Sequence, residues 1–263
     1  MPRSAHRPTR RGRVLRRGLT VTLTAAALVL TTATMAHAAP PPPLPGNADD
    51  LERRFQPALD YDKDGCYATS AIGPDGTIAP GLKLGGALNG DCRDLSDLEN
   101  SNAYSRAKCD NGWCAILYTY YFEKDQVAPG GLFGGHRHDW EHVVVWVHGD
   151  KAQYVATSAH GNFTVHKAAD VPFDGTHPKV VYHKDGASTH CFRKATAKDE
   201  PPENHYGTWH YAPLVGWNGY PDGLRDKLLA ADFGKATIGI REDRFTGHLT
   251  KALPKGVPFN PAS

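Results

Sequence analysis

Gly135-His136-Arg137-His138-Asp139-Trp140-Glu141-His142-Val143-Val144-Val145-Trp146-Val147 joins a polar heptapeptide to a run of β-branched residues. Successive valines favour a strand, because branching at Cβ suits the pleated backbone and loses side-chain freedom in a helix. Residues two apart on a strand share a face. Asp139 and Glu141 therefore point the same way as Val143, Val145 and Val147, and two carboxylates stand at the mouth of an apolar face. His136 has the opposite parity. It joins them only if the chain is still loop at Gly134-Gly135 and the strand starts afterwards.

Upstream of that segment, Trp113 to Phe122 (WCAILYTYYF) is aromatic and β-branched and reads as a buried strand. A loop with Pro129-Gly130-Gly131 connects the two. Further strands are expected near Gln153–Thr157, Asn162–His166 and Lys179–His183, separated by turn residues. Asn47-Ala48-Asp49-Asp50 offers a cap for a short helix through Leu51 and Phe55, and Ser96-Asp97-Leu98 starts another running toward Arg106. Residues 65–95 read as loops with short strands. Asp222 caps a helix over Gly223–Ala231, and Phe233–Ile240 returns toward strand. No repeat and no βαβ rhythm is present. The pattern predicts a mainly β, mostly antiparallel, single-domain β-sandwich with a few peripheral helices.

The first residues read as an address. Residues 3–17 hold seven arginines and no acidic residue, and an apolar stretch from Leu19 to Leu30 follows, then the small-x-small pattern Ala36-His37-Ala38. That is a secretory signal over residues 1–38. As a membrane anchor the apolar stretch falls short of the ~20 residues a span requires, and no later segment qualifies. Residues 39–47 are proline-rich and read as an extended, poorly ordered lead-in to a domain over 48–263. Without the leader, 23 basic residues stand against 28 acidic ones, a formal net of −5. The basic balance of the whole chain belongs to the leader, so nucleic acid is not an expected partner.

All five cysteines lie beyond the leader: Cys66, Cys92, Cys109, Cys114 and Cys191. Export favours disulfides, and an odd count leaves a thiol over. Four cysteines allow three pairings, among which the sequence does not choose. A Cys109–Cys114 bridge would close a short loop around the turn signal Asn111-Gly112, leaving Cys66–Cys92 and a free Cys191. No CxxC pair supports zinc instead.

Two like charges side by side raise each other's pKa unless a cation neutralises them. Carboxylate-dominated ligands suit a hard divalent ion, Ca²⁺, Mg²⁺ or Mn²⁺, better than zinc. There is no HExxH, no His-x-His-x-Asp-His, no G-x-S-x-G elbow and no phosphate-cradling glycine loop. A second acidic cluster, Asp60-Tyr61-Asp62-Lys63-Asp64-Gly65, starts like an EF-hand loop. Its twelfth position is Ala71, where a bidentate Glu is needed, so Asp60, Asp62 and Asp64 would form an incomplete calcium site or a plain acidic turn. His160, His166 and His183 show no comparable spacing. Trp209 and Trp217 read as core aromatics, or as a rim on which a sugar stacks.

The heptapeptide GHRHDWE, preceded by AILYTYYFEKD at residues 115–125, resembles the signature of the necrosis- and ethylene-inducing-like proteins (NLPs). Phe55-Gln56-Pro57, Gly186-Ala187-Ser188-Thr189-His190, Leu214-Val215-Gly216-Trp217 and Ala231-Asp232-Phe233-Gly234 are similar too. The resemblance implies a β-sandwich like that of actinoporins and some lectins. It implies a secreted cytolysin that recognises glycosylated inositol phosphoceramide sphingolipids of plant plasma membranes through peripheral contact, with a divalent metal in a surface cavity. The ligands it implies are Asp125, His136, Asp139 and Glu141, with Arg137, His138 and Trp140 as scaffolding. NLPs with an additional cysteine pair are similar in having a calcium-binding region near Asp60–Asp64. One departure is the loop between Asp125 and His136, which is longer than in many members.

Three functional readings follow. The first is a metal-dependent cytolysin that works without an enzymatic step. The second is a non-cytotoxic sugar- or lipid-binding relative. The third, weakest for want of any hydrolase pattern, is a metal-dependent hydrolase with Glu141 or His138 as base.

Overall fold

Two sheets and a few short helices make up the regular structure of the described residues, which are 1, 2, 4 and 39–263 of this computed structural model. The expected secretory signal lies outside the described residues. In chain order the elements are α1 (Asp50–Arg54), β1 (Ala58–Tyr61), α2 (Leu95–Glu99), β2 (Ala103–Asp110), β3 (Trp113–Gln126), β4 (Gly135–His148), β5 (Lys151–Ala159), β6 (Asn162–Lys167), β7 (Phe173–Asp174), β8 (His177–Lys184), β9 (His190–Lys194), β10 (Leu214–Gly216), α3 (Leu224–Ala230) and α4 (Glu242–Ala252). The larger sheet has the order β10-β2-β3-β4-β5-β6; the smaller runs β1-β8-β7, with β9 also on β8. All pairings are antiparallel except β10 with β2 and β1 with β8.

The larger sheet is buried on both faces, which is why β3 and β4 read as continuous apolar runs. On one face Tyr118, Tyr120, Phe122, Val143, Val145 and Val147 meet Leu59, Tyr61, Val180, Tyr182 and Phe192 of the smaller sheet. On the other, Leu117, Tyr121, Trp140, Val144 and Trp146 meet Leu228 of α3, Phe245 and Leu249 of α4, and Phe233, Ile240 and Phe259. The chain is thus a sandwich of two sheets with helices and C-terminal coil on its outer face, the mainly β architecture that the residue pattern implies.

Several local expectations change. The proline-rich lead-in is extended but not loose: Leu44 is fully buried, its N–H donates to Asn102 Oδ1 at 2.8 Å, and its carbonyl accepts from Asn102 Nδ2 at 2.9 Å. The helix expected to run toward Arg106 ends at Glu99, because Asn102 is committed to Leu44 and Pro213 and β2 begins at Ala103. Residues 233–240 carry no strand; Phe233, Ile238 and Ile240 are held by side-chain packing and have no sheet edge to join. Helix α4 was not anticipated. Its apolar residues, Phe245, Leu249 and Ala252, are too few for a strong helical period.

Cys66 pairs with Cys92 and Cys109 with Cys114; Cys191 is a buried free thiol. Among the described residues no helix is long and apolar enough to cross a membrane.

Candidate metal centre and cavity

The β3–β4 ladder runs in register from Trp113↔His148 to Phe122↔Asp139 and continues with Lys124↔Arg137, Asp125↔His136 and Gln126↔Gly135. Glu123 and His138 are missing from it. The Glu123 carbonyl accepts from Leu82 N at 2.8 Å instead, and His138 takes φ 62. This left-handed residue resets the alternation of faces, so His136 comes to the side of Asp139 although the strand already starts at Gly135. The expected late start of the strand is therefore not the cause. A Cβ on Gly81 would stand 2.6 Å from the His138 ring, so only glycine lets that ring pack; its Nδ1 meets Tyr121 Oη at 2.7 Å. Gly135, at φ 129, is needed for the same reason: its Cβ would meet the Asp125 carbonyl at 2.5 Å.

One ligand atom from each of Asp125, His136 and Asp139 lies within 4.8 Å of the other two. Glu141 stands outside this group. Its carboxylate accepts the Ser158 hydroxyl, and Ser158 Oγ accepts from His142 N at 2.7 Å. His136 Nδ1 is 2.7 Å from the His138 carbonyl. A carbonyl only accepts, so Nδ1 carries the proton and Nε2 keeps its lone pair for a ligand. Asp125 accepts from His190 N at 2.8 Å and from His190 Nδ1 at 2.7 Å, a pairing that fixes its orientation. Tyr182 donates to Asp139 Oδ2 at 3.2 Å, and its ring stacks on Phe122 at 3.7 Å.

Electrostatics set these carboxylates apart from surface ones. Burial, and then the nearby Asp125, push the Asp139 carboxyl well above the usual range. Burial, and then Asp139, do the same to Glu141. A divalent cation relieves both costs at once. The donors are oxygens and one imidazole nitrogen, which fits a hard ion that retains water.

His136 and Asp139 of this group open into a cavity of about 220 Å³, lined also by Glu141, Ser158, His160 and Lys235 among others. On the loop between β3 and β4, Leu132 and Phe133 are 62% and 87% exposed. Residues 127–135 carry no charge.

The family described as necrosis inducing protein (NPP1) matches residues 49–252. The chain belongs to this family. NLP effector protein 10 of Phytophthora capsici is 31% identical over 204 residues, covering 75% of this chain and 80% of that protein. A solved structure titled NLPPya in complex with mannosamine superposes with TM-score 0.68 at 31% identity, covering 82% of this chain and 97% of that one. A structure described as the non-toxic HaNLP3 protein gives TM-score 0.68 at 25% identity, covering 81% and 97%. The necrosis-inducing family is one of toxins, not of enzymes.

Other residues of this NLP family member separate into those the fold unites and those it scatters. Asp60, Asp62 and Asp64 are not brought together. Asp60 is buried and accepts from Glu203 N and Asn204 Nδ2, while Asp62 pairs with Arg193 at 3.1 Å. Asp64 faces His190 Nε2 at 3.7 Å. Trp140 is core, 5% exposed, packed on Tyr104, Tyr121 and Phe233. Trp209 does not join either core cluster, whereas Trp217 packs against the helix-side core, as expected for a core aromatic. Both are half-buried, the first beneath Lys179 and the second between Arg106 and Arg225. The residue missed by sequence reasoning is His190, 65 positions from its partner Asp125. It lies in the GASTH stretch that carried part of the resemblance, yet nothing there names its partner. His160, given no role by its spacing, lines the cavity.

Proposed function

We propose that this chain is a secreted, metal-dependent cytolysin that recognises glycosylated sphingolipid head groups at plant plasma membranes and damages the outer leaflet without an enzymatic step. The observation that carries the reading is the convergence of Asp125, His136 and Asp139, of which His136 and Asp139 line an open cavity. Asp125, His136 and Asp139 would hold a Ca²⁺, Mg²⁺ or Mn²⁺ ion, with Glu141 the next carboxylate on that wall. The ion would supply positive charge and exchangeable positions for sugar hydroxyls.

Two further features support it. NLPPya, 30–31% identical to this chain, has been solved with mannosamine and with glucosamine, so an amino-sugar-sized ligand suits the fold. Leu132 and Phe133 project from an uncharged loop that follows Asp125, and apolar side chains without partners in water gain by entering a bilayer interface. Secretion rests on the basic leader, the apolar stretch of residues 19–30 and the two disulfides.

Dye leakage from vesicles containing plant glycosyl inositol phosphoceramides tests the proposal. Leakage should vanish with EDTA and return with Ca²⁺ or Mg²⁺. Leakage that is indifferent to chelator, or equal from vesicles lacking the glycolipid, would overturn it. The existence of the non-toxic HaNLP3, of the same fold, favours one second reading: metal-dependent binding to these vesicles without leakage, the behaviour of a recognition protein.

A further inference from the structure

Cys191 is the one cysteine among the described residues outside a disulfide, and it does not stand alone. Its Sγ, an imidazole nitrogen of His160 and a carboxylate oxygen of Asp185 all lie within 4.8 Å of one another. His183, outside that group of three, is its direct cross-strand partner in the β8–β9 ladder, with Nε2 at 3.5 Å from the sulfur. These residues come from separate places. His160 sits in the β5–β6 turn, Asp185 in the β8–β9 turn, His183 on β8 and Cys191 on β9.

We propose that His160, Asp185 and Cys191 form a second metal site of the zinc class beside the carboxylate site; the ring of His183 completes it as fourth ligand by turning from the sulfur toward the ion. The donor set separates the two. A thiolate with two imidazoles selects a borderline transition ion, whereas Ca²⁺ and Mg²⁺ take oxygen ligands. Sulfur at about 2.3 Å and nitrogen at about 2.0 Å from a tetrahedral zinc stand about 3.5 Å apart. The Cys191–His183 pair already has that spacing. His160 Nε2 and Asp185 Oδ2 are hydrogen-bonded at 2.8 Å, with side chains 37% and 51% exposed, so both turn toward an ion without disturbing the core. Cys191 and His183, in a paired ladder, supply the rigid half of the site. Thr189 Oγ1 contacts His160 Nδ1 at 3.5 Å and orients the ring from behind.

The consequence is mechanical. His160 and Thr189 line the cavity wall, so an ion here would pin the β5–β6 turn to the β8–β9 turn and set the width of the cavity mouth.

Cobalt is the probe. Purified protein, stripped of metal and kept under anaerobic conditions with both disulfides intact, should develop a thiolate-to-cobalt charge-transfer band in the near ultraviolet with one Co²⁺ bound. Stoichiometric Zn²⁺ should displace it, and excess Ca²⁺ or Mg²⁺ should not. Cys191→Ser should abolish the band, and His160→Ala and His183→Ala should each weaken Co²⁺ binding at least tenfold. Asp139→Asn, in the carboxylate site, should leave the band in place, which separates the two sites. Circular dichroism reports whether Cys191→Ser remains folded; should it unfold, the exposed His160→Ala carries the test. No near-ultraviolet band, a band that survives Cys191→Ser, or Co²⁺ affinity unchanged in His160→Ala would overturn the proposal.

Discussion

One pair of strands holds two opposite solutions to burial. From Trp113↔His148 to Tyr118↔Val143, β3 and β4 alternate without a break, and both faces are packed with valine, tyrosine and tryptophan. Further along, on either side of the interruption at Glu123 and His138, the same strands bury Asp139 and Asp125. The first region is dry and stabilises the fold through apolar contact. The second sacrifices stability, since carboxylates taken out of water cost free energy until a cation joins them. The interruption brings His136 to the side of Asp139 without changing the register of the ladder.

The largest expected effect is at the dry end. Trp146 is fully buried and packs edge-on against Phe259. Trp146→Ala should cost about 3–5 kcal/mol in urea unfolding while leakage per folded molecule is kept. A loss below 1 kcal/mol would mean that this end is not the stabilising one. Asp139→Asn should do the reverse. Metal affinity, measured by calorimetry, and leakage should fall by about 10–100-fold, with unfolding midpoints equal to or above those of the parent. A destabilised Asp139→Asn would remove the contrast. Next in size, Phe133→Ser should reduce vesicle binding about tenfold without affecting metal affinity, since the loop lies outside both ends of the ladder. Equal binding would take the loop out of membrane contact.

The smallest effect concerns acid. His248, on α4 against His142, has its pKa lowered to about 4, by burial first and then by Lys251 and Arg244. Burial penalises its charged form, so the neutral ring contributes stability that is present above about pH 6.5 and lost as pH falls through about 4. His248→Gln should flatten that part of the melting profile. Between pH 6.5 and 4 it should lose about 2–4 °C less than the parent by circular dichroism. Parallel profiles would assign the acid sensitivity to other groups.

Much of this was legible in the residues. WCAILYTYYF and the valine run announce buried strands, and Asp139 and Glu141 share a face by simple parity. The helix predicted to continue from Ser96 failed because local propensity says nothing of Asn102, whose side chain is claimed by Leu44, 58 positions away. Asp60, Asp62 and Asp64 look like a calcium loop in sequence, yet Arg193, Glu203 and Asn204 claim two of them. Helix α4 passed unseen because few of its residues are apolar. The NLP resemblance named Asp125, His136, Asp139 and Glu141 together, but not the separation of Glu141 from the three that converge.

By itself, the sequence determined what kinds of residue are available and how each strand alternates, for these depend on composition and on the two-residue period of extended chain. Family membership follows from the same information. Tertiary structure alone decided that His136 crosses to the side of Asp139, through one left-handed residue, His138, opposite the point where the Glu123 carbonyl accepts from Leu82 instead of from the ladder. It alone placed His190 on Asp125 and gathered His160, His183, Asp185 and Cys191 from separate segments. The reason is physical: side chains distant in sequence meet only when packing brings their strands together, and no local spacing encodes that meeting.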